Sequence, residues 1–260
     1  HEVAQGYNNI KEDSVYIKLK STKVPTLRSG SRQELVGDDA NFLVWTTTPW
    51  TLAGNAAIAI NNKVIYCKSE IRNPKSETKE YFILAKNRAA EVFKNIDYKI
   101  IEEYLGKELI EKYSTDGFDY DPIYPEGEKF SEAGEKSYKI ILSDFVSDTD
   151  GTGIVHIAPA FGEDDYNFGY QKNDIKVLKT VDEKGTELAG AGKGKFVKEA
   201  DTDIKLDLEK RGMLFKTEVI SHDYPFCWRC DSPLLYMAKD SWYIAMSKMR
   251  EELIANNEKI

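Results

Sequence analysis

The stretch Gly151-Thr-Gly-Ile-Val-His-Ile-Ala-Pro-Ala-Phe-Gly-Glu-Asp-Asp-Tyr166 combines a short strand, a sharp turn and the start of a helix. Ile154 to Ile157 is apolar and β-branched apart from its histidine, which predicts a strand with Ile154 and His156 on one face and Val155 and Ile157 on the other. Gly151 and Gly153 permit a tight turn into that strand, and Pro159 ends it. Gly162 followed by Glu163, Asp164 and Asp165 predicts a helix start, where carboxylates meet the positive end of the dipole. His156 and a carboxylate are thereby gathered into one small region. On these residues alone two readings stand: a core histidine beside capping acids, or the centre of a site.

A chain of 260 residues is long enough for one large domain, or one domain with an appendage, and can bury a proper core. No apolar run approaches a membrane-spanning length, and the opening His-Glu-Val-Ala lacks the charged and apolar regions of a secretory signal. With no initiator Met and a ragged polar end at Ile260, the sequence reads as a piece of a longer chain. A net charge of −8 excludes a protein that grips nucleic acid through an all-over basic surface. Any such contact is expected to be local. Gly190 to Lys198, with Lys193, Lys195 and Lys198, is the best basic candidate, against its plainer reading as a solvated loop. Three cysteines, two of them in one Cys-x-x-Cys, fit a reducing, cytoplasmic compartment better than a disulfide scaffold.

Along the chain, Ser14 to Lys20 alternates as a half-buried strand, Ser29 to Asp39 reads as a polar loop, and Asn41 onward is a buried strand. Ala56–Ile60 and Lys63–Lys68 are expected as strands joined at Asn61-Asn62, followed by a charged loop, a strand at Glu80–Leu84 and a short helix at Lys86–Lys94 with Ala89, Ala90 and Phe93 inward. After a strand at Tyr98–Tyr104, the Gly-, Asp- and Pro-rich run Gly117–Gly134 reads as a long surface connection. Lys139–Phe145 leads into the opening motif, and Tyr166–Gln171 continues its helix. Val177–Val181 and Met213–Ile220 are strands flanking a helix at Ala200–Lys210, which Gly212 stops. Many short strands with few short helices give a mixed α/β class: a barrel-like β core with peripheral helices.

Two further stretches carry possible chemistry. In Trp45-Thr-Thr-Thr-Pro-Trp-Thr51 a strand enters a turn where Thr48 suits an N-cap, Pro49 the first helical position and Gly54 the close. Thr46, Thr47 and Thr51 exceed that need; they fit either a strand ladder or a pocket of neutral hydroxyls. From His222 the chain becomes aromatic and proline-punctuated, with helix expected over Trp242–Ile254. Cys227 and Cys230 have the spacing of half a zinc site, and no second pair at matching spacing accompanies them. Either the remaining ligands lie elsewhere in a longer chain or the thiols carry no metal.

The order of the motifs carries a resemblance. Trp45 to Thr51, then Gly151 to Pro159 with Gly162 and Asp165-Tyr166, then Tyr224-Pro-Phe-Cys-Trp-Arg-Cys230 closely resembles the editing domain of isoleucyl-tRNA synthetase, an insertion in a class I aminoacyl-tRNA synthetase. The resemblance runs from about Glu2 to Trp242 and takes in Gly106, Leu109 and Tyr120-Asp-Pro122. Valyl and leucyl relatives carry arginine at the position of Thr48 and lack this histidine. Two departures are Ala53, where relatives commonly have proline, and Phe161, where many bacterial relatives have histidine.

That resemblance implies the editing-domain fold over residues 1–220, with 221–260 starting the return to the synthetase body. It implies hydrolysis of the ester of valyl-tRNA(Ile) and exclusion of isoleucyl-tRNA(Ile) by size, the rival reading being a non-catalytic module that binds the tRNA acceptor end. Asp165 would hold the ammonium of the misattached valine, with Asp164 turned to solvent. Thr46, Thr47, Thr48 and Thr51 would hold the attacking water and the terminal adenosine, with Trp45 or Trp50 packing beside them and Asn55 adding an amide. His156 would be the wall that admits valine and not isoleucine, ahead of a role as general base. No cofactor is expected for editing, ATP serves only the full-length synthetase, and zinc at Cys227 and Cys230 is possible only there. Expected partners are the tRNA(Ile) acceptor end and the remainder of the synthetase chain, with no membrane.

Overall fold

Alternating apolar residues build strands through most of the chain, and the computed structural model describes residues 6–22, 40–72 and 78–259. In chain order come β1 (Tyr7–Lys20), β2 (Asn41–Thr46), a 3-10 turn (Pro49–Gly54), β3 (Ala57–Ile60), β4 (Ile65–Arg72), β5 (Lys79–Ala85), α1 (Lys86–Val92), β6 (Tyr98–Leu105) and α2 (Gly106–Tyr113). A second 3-10 turn (Pro125–Phe130) leads to β7 (Ser131–Ala133), β8 (Lys139–Leu142), β9 (Val155–Ile157) and α3 (Glu163–Asp165), which widens into a π turn (Tyr166–Lys172). Then follow β10 (Val177–Leu178), α4 (Val197–Lys210), β11 (Leu214–Pro225) and α5 (Met246–Asn257). The expected polar loop Ser29–Asp39 and most of the charged loop after Arg72 lie outside the described residues.

The main sheet runs β6-β4-β5-β2-β9-β3-β8, and β2 also pairs with β1, which pairs with β11. Along β2, Asn41 and Phe42 lie parallel to β5 while Trp45 lies parallel to β9. A strand serving one neighbour at its start and another at its end makes the sheet curl, as the barrel-like expectation requires. The main core gathers inside the curl, from Val15, Ile17 and Leu19 of β1 to Ile58 and Ile60 of β3. Helix α4 closes one side by burying Val197, Ala200, Ile204 and Leu208, a spacing that keeps one face inward.

Several expectations are corrected. Asn61-Asn62 does not join a hairpin: β3 pairs with β8 and β9, whereas β4 pairs with β5 and β6. All four β3 residues are buried, so both faces of this strand are covered, while β8 and β9 take its two edges and leave the dipeptide only to pass the chain onward. In α1 it is Val92, not Ala90, that joins Ala89 and Phe93 inward, because helical spacing from Ala89 falls on positions 92 and 93. The run from Gly117 is no surface connection, since Tyr120, Ile123 and Tyr124 are buried in the main core. It is stitched down by Asp119, which accepts from the Ile140 amide at 2.8 Å, and by the Asp121 amide, which donates to Lys20 O at 2.8 Å. Strand β11 passes position 220 unbroken and ends at Pro225.

Candidate active site

The threonine turn crosses the exit of β9, because β9 lies between β2 and β3 and the turn connects those two. Entry into β9 depends on Gly151 and Gly153, both at positive φ, where a side chain at Gly153 would collide with Ala85. Thr48 occupies the N-cap position of the 3-10 turn, yet its hydroxyl does not cap it. The cap comes from far along the chain: Trp50 N–H donates to the Asp201 carboxylate of α4 at 3.0 Å. Burial pushes the Asp201 carboxyl up to about 6, against nearby Lys198 and the Trp50 amide, which lower it.

His156 is buried and bonded at both ring nitrogens. Its Nε2 lies 2.8 Å from Thr51 Oγ1, and its Nδ1 lies 2.9 Å from the amide nitrogen of Asn55. Burial holds the imidazole down at about 4, so the ring is neutral near pH 7. Thr51 donates its own hydroxyl proton to Thr48 O at 2.8 Å, and Thr48 Oγ1 lies 3.2 Å from Thr51 Oγ1 and 3.4 Å from Thr46 Oγ1. Three threonines and the histidine thus form one continuous polar array.

Asp165 stands just beyond that array. The Ala158 N–H, two residues after His156, donates to its carboxylate at 2.9 Å. Burial pushes the Asp165 carboxyl up to about 6; the Ala158 hydrogen bond opposes this and the Asp164 charge adds to it. Asp164 itself is exposed. An ionised carboxylate in such a place gains strongly from a cationic partner, since partial burial leaves it little water to compete with that partner.

The remaining expected residues divide. Trp50 lies in the main core with its ring edge-on to Phe161 at 5.3 Å between centroids. Trp45 belongs to a different cluster: it packs with Tyr16 and Leu43 on the sheet face opposite Thr46. Thr47 is half-buried at the bend after β2. The buried Asn55 amide is turned onto His156 and Ala57 rather than outward. Cys227 and Cys230 share one turn, and among the described residues no group of three or more His, Cys, Asp or Glu side chains is placed to hold a metal. Of the basic stretch, Lys195 pairs with Asp203 and Lys198 with Glu12, while Lys193 is exposed. A cleft of about 470 Å³ opens beside the helix start, lined by Gly162, Glu163, Tyr166, Tyr170, Lys179 and Tyr236, and none of the expected site residues lines it. Sequence reading missed Tyr120 and Asp201 as parts of the site. Their only local signals were a Tyr-Asp-Pro run and a helical acid, neither of which names a distant partner.

No family model matches the chain. Over its whole length it is 40% identical to the isoleucine–tRNA ligase of Clostridium novyi, 38% to that of Thermoplasma volcanium and 40% to isoleucine–tRNA ligase 2 of Bacillus cereus. The chain belongs to the isoleucyl-tRNA synthetase family. It spans 22% of the length of each of these relatives, so the expectation of a piece agrees with their size. Among solved structures, this synthetase segment is similar to the editing domain of the P. falciparum cytosolic leucyl-tRNA synthetase, with a TM-score of 0.50 at 12% identity over 80% of this chain and 99% of that one. The P. knowlesi counterpart gives 0.51 at 13% identity over 81% and 97%. At such low identity the likeness speaks for the fold alone, and the isoleucyl-tRNA synthetase segment has the editing-domain fold. None of its described helices is long and apolar enough to cross a membrane.

Proposed function

We propose that this segment is the post-transfer editing domain of an isoleucyl-tRNA synthetase, hydrolysing the ester of valyl-tRNA(Ile) and leaving isoleucyl-tRNA(Ile) intact. A pocket that accepts isoleucine rejects valine by one methylene, worth roughly 1–3 kcal/mol, a limit for which the isoleucine enzyme is itself the standard illustration. A second, smaller site answers that limit by hydrolysing what fits it. The observation that carries the reading is the pairing of a rigid, neutral His156 with the partly buried carboxylate of Asp165 at the exit of one strand. In this reading Asp165 fixes the ammonium of the misattached amino acid. His156, held at both nitrogens, bounds the space for the side chain, while Thr46, Thr47 and Thr48 hold water and the terminal ribose. The ester's own ribose hydroxyl assists that water, and Asn55 acts on the substrate through His156. The full-length enzyme works in the cytoplasm, uses ATP for aminoacylation, and has the acceptor end of tRNA(Ile) and the rest of its own chain as partners. Zinc, if held at Cys227 and Cys230, takes its other ligands from that remainder.

The test is deacylation of matched valyl and isoleucyl esters of tRNA(Ile) by the full-length parent. Asp165→Ala is expected to lower kcat/KM for the valyl ester by about a hundredfold or more, the loss of a partly buried charge-assisted contact of about 3 kcal/mol. His156→Ala is expected to make the isoleucyl ester a substrate. Full valyl-ester hydrolysis by Asp165→Ala, or continued protection of the isoleucyl ester in His156→Ala, refutes the corresponding role.

A further inference from the structure

Tyr120 is wholly buried, and its hydroxyl donates to Asn55 Oδ1 at 2.8 Å. The amide nitrogen of Asn55 lies 3.0 Å from the Ala57 carbonyl oxygen and 2.9 Å from His156 Nδ1. A carbonyl oxygen only accepts, so the orientation of this amide is fixed and both of its N–H bonds are used. His156 Nδ1 must therefore accept. In a neutral imidazole the proton then sits on Nε2, which donates to Thr51 Oγ1 across 2.8 Å. Thr51 has given its proton to Thr48 O, so the 3.2 Å contact between Thr48 Oγ1 and Thr51 Oγ1 has Thr48 as donor. By the same logic Thr46 donates to Thr48 across 3.4 Å, and Thr46 Oγ1 accepts the Thr48 N–H at 3.2 Å. Every proton in the array has one direction, and that direction is set at Asn55, whose amide is oriented from one side by the Ala57 carbonyl and from the other by the Tyr120 hydroxyl.

We infer that Tyr120 and Asn55 are positioning residues that impose the Nε2–H form of His156 and, through it, the hydrogen-bond polarity of the threonine turn. Thr51 then has no valence to spare. Thr46 and Thr48 each keep one free lone pair and no free proton. Such a turn holds a water by its hydrogens and leaves the oxygen lone pairs of that water directed at an electrophile. It also leaves His156 without a nitrogen able to take a proton, which makes the ring a wall and not a general base. Burial pushes the Tyr120 phenol well above its ordinary value, so it remains a donor at any working pH. The inference deepens the hydrolytic reading and rests on it.

The decisive variant in the full-length synthetase is Asn55→Asp, which keeps the shape and reverses the polarity. An aspartate accepts from Nδ1, so the neutral ring then presents a bare Nε2 to Thr51. Acidification adds a second proton and restores Nε2–H. Deacylation of valyl-tRNA(Ile) by Asn55→Asp is expected to lose about tenfold in kcat at pH 8, one hydrogen bond's worth, with KM within about twofold of the parent. The ratio of variant to parent kcat is expected to climb as the pH is lowered from about 8 to about 6, the range in which a histidine facing a carboxylate titrates. Tyr120→Phe removes the first donor and is expected to lose a similar factor in kcat at unchanged KM, without the rescue by acid. A parent that does not deacylate valyl-tRNA(Ile) sinks the function itself. A parent that does, with a flat variant-to-parent ratio across pH or with Tyr120→Phe at the parental kcat, sinks this inference alone. Should Asn55→Asp fail to fold in thermal melts, the split between kcat and KM in Tyr120→Phe decides.

Discussion

Asp165 has two demands on it that meet in its ionisation. Capture of an ammonium group needs the carboxylate, whereas burial favours the neutral acid and lifts its pKa to about 6. Below that value the free enzyme carries the protonated form. The kcat/KM for valyl-tRNA(Ile) is therefore expected to fall about tenfold per pH unit below about 6, and Asp165→Asn is expected to abolish that limb while lowering activity throughout. A parent profile flat from pH 7 to 5 would count against the carboxylate. Ordinary strand and helix rules placed His156 and Asp165 near each other, because only nine positions separate them. The Thr51 contact to His156 spans 105 positions and that of Tyr120 to Asn55 spans 65. No local pattern encodes such pairings, so the threonines were legible as an excess of hydroxyls but their polarity was not.

At the scale of elements, α4 does more than close the core. Its Asp201 supplies the cap that Thr48 does not, so the turn bearing Trp50 and Thr51 is clamped by a helix 151 positions away. Asp201→Ala leaves a buried N–H without its partner and is expected to cost about 1–2 kcal/mol. Asp201→Asn keeps an acceptor oxygen and sheds the half-buried charge, so its urea midpoint is expected to stay near the parental value. Equal losses in both variants would show that the charge, not the cap, matters. The amphipathic spacing of this helix was readable, as were most strands, since each rests on alternation over a few residues. Strand partners were less so. Asn61-Asn62 is a good turn dipeptide and points to a hairpin, while the fully apolar β3 marks a strand covered on both faces, and neither local signal names β8 and β9 as its edge partners.

For the whole molecule, two buried groups, His156 and Glu187, and two half-buried ones, Asp165 and Asp201, shape how stability responds to pH. Asp165 and Asp201 are raised to about 6 and Glu187 to about 8, so the folded chain binds more protons than the unfolded one and each costs stability as pH rises from about 4. His156, lowered to about 4, acts oppositely up to about pH 6.5. Glu187 dominates above that point: it is buried, neither of its carboxylate oxygens has a partner among the described residues, and the charge of Asp201 adds to its burial. Thermal midpoints are expected to fall between pH 6.5 and 8, and Glu187→Gln is expected to flatten that decline and add about 2–3 kcal/mol at pH 7. A Glu187→Gln protein with the parental pH slope would contradict this.

The ladder between β1 and β11 joins Tyr7 to Pro225 at one end and Ile17 to Leu214 at the other, partners such as Ser14 and Glu218 being 204 positions apart. Ribosomes deliver these strands in that order. Until β11 has emerged, the first half of β1 waits with a bare edge, exposed to whatever nascent chain lies near. Its residues there are Asn8, Asn9, Lys11, Glu12 and Asp13, polar or charged at almost every step. Such an edge resists capture by a stranger for the length of translation, and Lys198 and Lys205, which later pair with Glu12 and Asp13, arrive only shortly before the partner strand does.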